Sequence, residues 1–285
     1  MWLKKSLGQN FLKNPEIVRD IVRVANLAVT PRHRRGVTAE TVLEVGPGMG
    51  VLTRALLDAG ANVIAVEKDM RLIPLIQKIF AKEIAEERLL LIRADILKLD
   101  IPTLFSNCLP DRQAGKLHIS SFKLVANIPY YITGKFLRQI FSQERLPERV
   151  VLLLQKEVAE RIVGGNPTSL KLRGARESIL SISVKVYGAP SIACYVPREN
   201  FDPIPKVDSA VLVIENISRD FFPGGETAGK MSEQKFFNLV KRGFASKRKM
   251  LGNNIKLPSP LQQKYGKLRA QDLSLEDWKY LTREL

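Results

Sequence analysis

Asn127-Ile128-Pro129-Tyr130 carries the groups needed to present an aromatic amine to an electrophile. The lone pair of an exocyclic amine such as adenine N6 is delocalised into its ring, so the nitrogen attacks poorly. Two acceptors that hold its two hydrogens favour a more pyramidal, more nucleophilic nitrogen. The side-chain oxygen of Asn127 and the main-chain carbonyl of Ile128 can act as that pair, and Pro129 stiffens the turn that aims the carbonyl. Tyr130 offers a π-face on which a base drawn out of its helix can stack. If the electrophile is already activated, alignment in a fixed polar environment carries such a transfer without a strong general base. Alone, the four residues would suit equally a strand-end turn with a buried tyrosine.

A second cluster lies upstream. Val42 to Val45 reads as a buried strand that opens into Gly46-Pro47-Gly48-Met49-Gly50 and then a helix. Glycines belong there because a side chain would hold the backbone away from a ligand. Glu67 ends the next strand, where a carboxylate can accept hydrogen bonds from both hydroxyls of a ribose. Asp95 ends the third strand, where it can meet an adenine amine. Three strand ends in succession fit ligand binding at the carboxyl edge of an open α/β sheet, and S-adenosyl-L-methionine is the ligand they favour. NAD or FAD is the alternative, although Val51 leaves the G-x-G-x-x-G fingerprint unmet. Glu44, two residues before the first glycine, orients the loop from behind.

Elements that position these residues can be read from the same pattern. Strand-like runs at Thr41–Val45, Asn62–Val66, Leu89–Ile92, Lys123–Ala126 and Val150–Leu154 alternate with helical stretches such as Val51–Ala59. This predicts a parallel sheet covered by helices on both faces. Asn14-Pro15-Glu16 starts a helix at the N-terminal side. Ser181–Tyr187 and Ser209–Ile214, rich in β-branched residues, are expected to close the sheet as a hairpin. After a linker near Phe222-Pro223-Gly224-Gly225 the pattern is helical only, with a capping box at Ser274 to Asp277. The expected fold is α/β, a Rossmann-like class I methyltransferase sheet with a smaller C-terminal helical domain. Its division falls at residues 1–218 and 219–285.

Charge narrows the partners. Lys and Arg number 45 against 29 Asp and Glu, a formal +16 that favours polyanions. Lys241, Arg242, Lys247, Arg248 and Lys249 surround Phe244 and are candidate phosphate contacts, which would position a substrate and specify no base. Phe236 and Phe237 are expected in the core. Cys108 and Cys194 are far apart, as are His33 and His118, so neither a disulfide framework nor a metal site is expected. Without an apolar leader or a membrane-length apolar run, the chain is expected to be cytoplasmic and a monomer.

Beyond these readings, the sequence resembles the bacterial small-subunit rRNA adenine dimethyltransferases of the KsgA/RsmA type and their eukaryotic relatives. Leu7-Gly8-Gln9-Asn10-Phe11-Leu12, the Gly46–Gly50 loop with Glu67, Asp95, Asn127–Tyr131, and Phe201-Asp202-Pro203-Ile204-Pro205-Lys206-Val207-Asp208-Ser209 carry the likeness, with the Gln155–Arg161 helix. The resemblance implies that Asn10 and Leu12 contact the cofactor together with Gly46, Gly48, Glu67, Asp95 and Asn127, and that Phe201 faces Tyr130 across the target adenine. It also implies dimethylation at N6 of two adjacent adenosines near the 3′ end of small-subunit (16S) rRNA within a pre-30S particle, with no metal. The sequence departs at 164–174, where a different connection stands, and at Asp202, which puts an acid in the aromatic-proline turn. Rival readings are a large-subunit (23S) adenine methyltransferase of the erythromycin-resistance type and a non-catalytic ribosome-assembly or transcription factor.

Overall fold

The computed structural model describes residues 10–27, 39–101, 104–105, 121–164, 176–222 and 232–285. Leu7 to Gln9, the basic loop at 30–36, Cys108, both histidines, most of the 164–174 connection, Pro223 to Gly225 and the side chain of Tyr130 lie outside the described residues.

Seven strands form the central sheet. In chain order they are β2 (Thr41–Val45), β3 (Asn62–Glu67), β4 (Leu89–Arg93), β5 (Lys123–Asn127), β6 (Arg149–Gln155), β7 (Ala189–Val196) and β9 (Ser209–Glu215). Their spatial order is β4-β3-β2-β5-β6-β9-β7. β4, β3, β2, β5 and β6 run parallel, and β9 runs antiparallel to β6. All five residues of β2 are buried, as expected for a strand covered on both faces. Helices α1 (Pro15–Val24), α2 (Val51–Asp58), α3 (Ile73–Ile79), α4 (Ala81–Ala85) and α5 (Thr133–Ser142) accompany the parallel strands, and α6 (Lys156–Val163) follows β6 directly. α1 begins as its sequence predicts, with the Asn14 side chain accepting from the Glu16 N–H and Pro15 in the first turn.

Strand order reverses between β2 and β5, since the chain moves outward one way through β3 and β4 and the other way through β6. Such a switch point opens a crevice beyond the strand ends. The glycine loop leaves β2 there and Asn127 ends β5 beside it, with Val45 paired to Ala126. A separate two-stranded ribbon, β1 (Phe11–Leu12) with β8 (Phe201–Asp202), ties the N-terminal segment to the 200–202 turn. Lys13 N donates to Asn200 O at 2.9 Å and Asn14 Nδ2 to Asn200 Oδ1 at 2.7 Å, which extends the tie.

The expected hairpin strand at Ser181–Tyr187 is instead helix α7 (Ile179–Lys185). Ser178 and Ser181 form a reciprocal capping box, and Ser181 to Val184 are buried, so capping and packing override β-branched propensity. The strand beside β9 lies just after it, in β7, whose exposure alternates residue by residue.

By contacts the chain divides into two compact units, Met1–Ala159 with Ser191–Ile217, and Glu160–Pro190 with Ser218–Leu285. The second unit thus takes α7 as well as the segment beyond 218. It also holds α8 (Glu233–Gly243), α9 (Leu251–Asn254), α10 (Ser259–Tyr265) and α11 (Leu275–Glu284). Phe236 is fully buried and meets Phe221, Phe222 and Phe237 edge-on, while Phe244 stacks on Trp278. Ser274 and Asp277 cap α11 reciprocally, as their spacing predicts. No helix among the described residues is long and apolar enough to cross a membrane.

Candidate active site

The crevice at the switch point is a cavity that opens to solvent at its mouth. Asn10, Gly46, Gly48, Glu67, Asp95, Asn127, Ile128 and Pro129, all singled out by sequence, line it together. Gly46 and Gly48 sit at φ +72° and +60°, backbone that glycine alone adopts readily. A Cβ on Gly48 would lie 2.8 Å from the Phe11 ring, and one on Gly46 would lie 3.4 Å from Asn127 O. The absence of side chains thus lets the loop backbone close against two walls of the cavity.

Glu67 is buried and accepts from the N–H groups of Asp69 at 2.7 Å and Gly48 at 3.3 Å. Burial pushes its carboxyl above the ordinary range, while N–H donors at Asp69, Gly48 and Lys68 pull it back. It therefore braces the glycine loop while presenting acceptors to the cavity. Asp95 Oδ1 accepts from Leu97 N at 3.1 Å and so caps the short 3₁₀ turn Ile96–Lys98. Its Oδ2 pairs with Lys68 Nζ at 2.9 Å. Burial raises the Asp95 pKa, but the Lys68 ammonium and the Leu97 N–H outweigh it and hold the carboxyl below its usual value.

At the other end, Asn127 Nδ2 donates to Asn10 O at 3.1 Å. That bond distinguishes the two ends of the amide and leaves Oδ1 as the acceptor end. Tyr131, 68% exposed, and Ile132 line the same side.

Two expected contacts differ. Leu12 is buried in the main core and does not line the cavity, whereas its neighbour Phe11 does. Successive residues of a strand point to opposite faces, so only one of the two side chains reaches the cavity. Phe201 is fully buried in that core cluster, which also holds Leu12, Ile21, Val196 and Val211, so its ring presents no stacking face. Sequence reasoning also passed over Phe11, Lys68, Ile96 and Leu97 as lining residues. Their neighbours Asn10, Glu67 and Asp95 were the available signal. Lys241, Arg242, Lys247, Arg248 and Lys249 are all exposed in the second unit, at the end of α8 and the turns after it.

A glycine loop at the switch point, acids at the ends of β3 and β4, and Asn-Ile-Pro-Tyr after β5 define a Rossmann-like methyltransferase. Residues 2–282 match the model of the family described as ribosomal RNA adenine dimethylase. Relatives named ribosomal RNA small subunit methyltransferase A occur in Dehalococcoides mccartyi, 35% identical over 99% of this chain and 88% of theirs, and in Thermosynechococcus vestitus, 36% identical over 99% and 96%. A dimethyladenosine transferase from Plasmodium falciparum has a similar fold, with a TM-score of 0.68 and 24% identity over 96% of this chain and 95% of its own. So does the 23S rRNA methyltransferase ErmE, with a TM-score of 0.68 and 21% identity over 97% of this chain and 100% of its own. The chain belongs to the ribosomal RNA adenine dimethylase family.

Proposed function

We propose that the chain dimethylates N6 of two adjacent adenosines near the 3′ end of small-subunit (16S) rRNA, using S-adenosyl-L-methionine and acting as a cytoplasmic monomer on a pre-30S particle. The observation that carries this reading is the bond from Asn127 Nδ2 to Asn10 O beside the cavity that Gly46, Gly48, Glu67 and Asp95 also line. The residues present suit that cofactor. Glu67 offers carboxylate oxygens to ribose hydroxyls, Asp95 an acceptor to the adenine amine, and Val66, Ile96 and Leu97 apolar surface for the ring.

S-adenosyl-L-methionine, when bound, supplies an electrophilic methyl group carried on a sulfonium. Everything else falls to the chain. Asn127 Oδ1 and Ile128 O accept the two amine hydrogens and turn the nitrogen lone pair toward the methyl carbon. Tyr130 takes the stacking role its place in the tetrapeptide gives it. After each transfer the methylated amine sheds one hydrogen as a proton to solvent, and so loses one of the two holding bonds. The dimethylated base has no amine hydrogen left to hold, which favours its release. Lys241, Arg242, Lys247, Arg248 and Lys249 contact rRNA phosphates.

Calorimetric titration with S-adenosyl-L-methionine tests the cofactor assignment. Saturable binding that S-adenosylhomocysteine displaces is expected, and a protein that binds neither contradicts it.

A further inference from the structure

Gln139 projects from α5, the helix that begins directly after the Asn127–Ile132 turn. Its Nε2 donates to Ile96 O at 2.7 Å and to Leu99 O at 2.9 Å. Those carbonyls bracket the 3₁₀ turn that Asp95 caps, and Ile96 and Leu97 line the cavity. A primary amide nitrogen has two hydrogens, and here both go to the same short turn. Gln139 Oε1 is buried and has no hydrogen-bond partner among the described residues. The opposite amide orientation would set that oxygen against two carbonyl oxygens, so the two N–H donors account for the polar contribution of this side chain.

We infer that Gln139 is a positioning residue that joins the two ends of the site, holding the Asp95 turn in register with the helix that carries the target-base turn. The inference rests on the cofactor reading above. Asp95 reaches an adenine amine only if the turn it caps keeps its place. β4 ends at Arg93, so the turn lies beyond the sheet, and the described residues tie it to α5 through Gln139. When that tie is lost, Asp95 and the apolar wall of Ile96 and Leu97 lose alignment with the ring, while the Asn127 end of the cavity stays intact.

The full-length Gln139→Met variant tests this, because it keeps side-chain volume and removes both donors. Gln139→Asn is a milder second variant, whose amide falls short of the turn. Thermal melting first confirms that each is folded. Calorimetry is then run with S-adenosyl-L-methionine, S-adenosylhomocysteine and S-inosylhomocysteine, the last lacking the adenine amine. Both variants are expected to bind S-adenosyl-L-methionine about tenfold more weakly, the scale of one or two net hydrogen bonds. The KM for cofactor rises in parallel and kcat at saturation is kept. The preference for adenosyl over inosyl ligand narrows. Unchanged affinity and unchanged preference in folded Gln139→Met overturn the inference, as does a fall in kcat with KM unaltered. If Gln139→Met does not fold, the same readings on Gln139→Asn decide. Wild-type protein that binds neither adenosyl ligand overturns the cofactor reading itself, and the inference with it.

Discussion

Asn127 donates its Nδ2 hydrogen to the main-chain carbonyl of Asn10 at 3.1 Å, so the segment that enters the fold first sets the amide that ends β5. The amide is thereby fixed with its nitrogen toward the N-terminal segment. Asn10 is in turn held by β1, whose pairing with β8 closes the ribbon across Leu12 and Phe201. The acceptor end of Asn127 is therefore aimed by main-chain structure on two sides.

Replacing Asn127 tests that arrangement. Asn127→Ala removes both the acceptor and the tie to Asn10, and kcat is expected to fall at least about 100-fold, as when one aligned polar partner of a transition state is removed. Cofactor affinity is expected to fall far less than turnover, because Glu67 and Asp95 are untouched. Asn127→Asp keeps an acceptor but sets a carboxylate against the Asn10 carbonyl, so it too loses turnover. Single-turnover methyl transfer alongside calorimetry checks both. Wild-type turnover in Asn127→Ala would remove the residue from the chemistry.

Phe201 and Leu12 act through the core. Phe201→Ala is expected to lower the unfolding free energy by about 3–5 kcal/mol and Leu12→Ala by about 2–4 kcal/mol, the range for emptying packed sites. Urea unfolding measures the loss. A Phe201→Ala protein of undiminished stability that binds cofactor normally yet fails to turn over would instead return the ring to a stacking role.

Glu44 gives the fold a pH dependence. It is buried one residue before the end of β2, and neither carboxyl oxygen completes a hydrogen bond among the described residues. Burial raises its pKa from 4.5 to about 8; the hydroxyl of Thr53 lies near enough to oppose the rise, and the charge of Glu67 adds to it. Below the ordinary value both folded and unfolded chains hold the proton. Between 4.5 and about 8 only the folded chain does, so stability falls as pH rises through that window and levels off above it. Glu44→Gln, which carries no titrating proton, is expected to escape this fall. At pH 9 it should exceed wild type by more than about 1 kcal/mol, one pKa unit being about 1.4 kcal/mol. Urea midpoints of the two proteins at pH 5, 7 and 9 are the check, and a stability difference that does not change with pH contradicts the assignment.

The basic cluster predicts a salt signature. Lys247→Ala, Arg248→Ala and Lys249→Ala combined should weaken rRNA binding and reduce the slope of log affinity against log salt by roughly 2, at about 0.7–0.9 for each phosphate no longer neutralised. Thermal stability should hardly change, since all three side chains are exposed. An unaltered slope would place the RNA-binding surface elsewhere.

The sheet and the cofactor crevice were legible because strands buried on both faces read as uninterrupted apolar runs, and their polar ends stand out. β2 was expected at Thr41–Val45 and lies there. Helix α7 was not legible. Its residues favour strands by type, and Ser178, the N-cap that pairs with Ser181 to start it, lies before the run read as a strand. That the Phe11 side chain, and not that of Leu12, lines the cavity was not legible, because a two-residue strand is too short to show alternation in sequence. Gln139 gave no signal at all, since a side chain that binds main-chain carbonyls 40 and 43 residues away leaves no local pattern.

The most direct test incubates the purified protein with labelled S-adenosyl-L-methionine and small subunits lacking adenine dimethylation, with large subunits in parallel and Asn127→Ala as control. Digested rRNA is then analysed by mass spectrometry. The expected outcome is N6,N6-dimethyladenosine at two adjacent positions in small-subunit rRNA, none in large-subunit rRNA and none with the variant. Label confined to large-subunit rRNA, or no label in either from wild-type protein that binds cofactor, would contradict it.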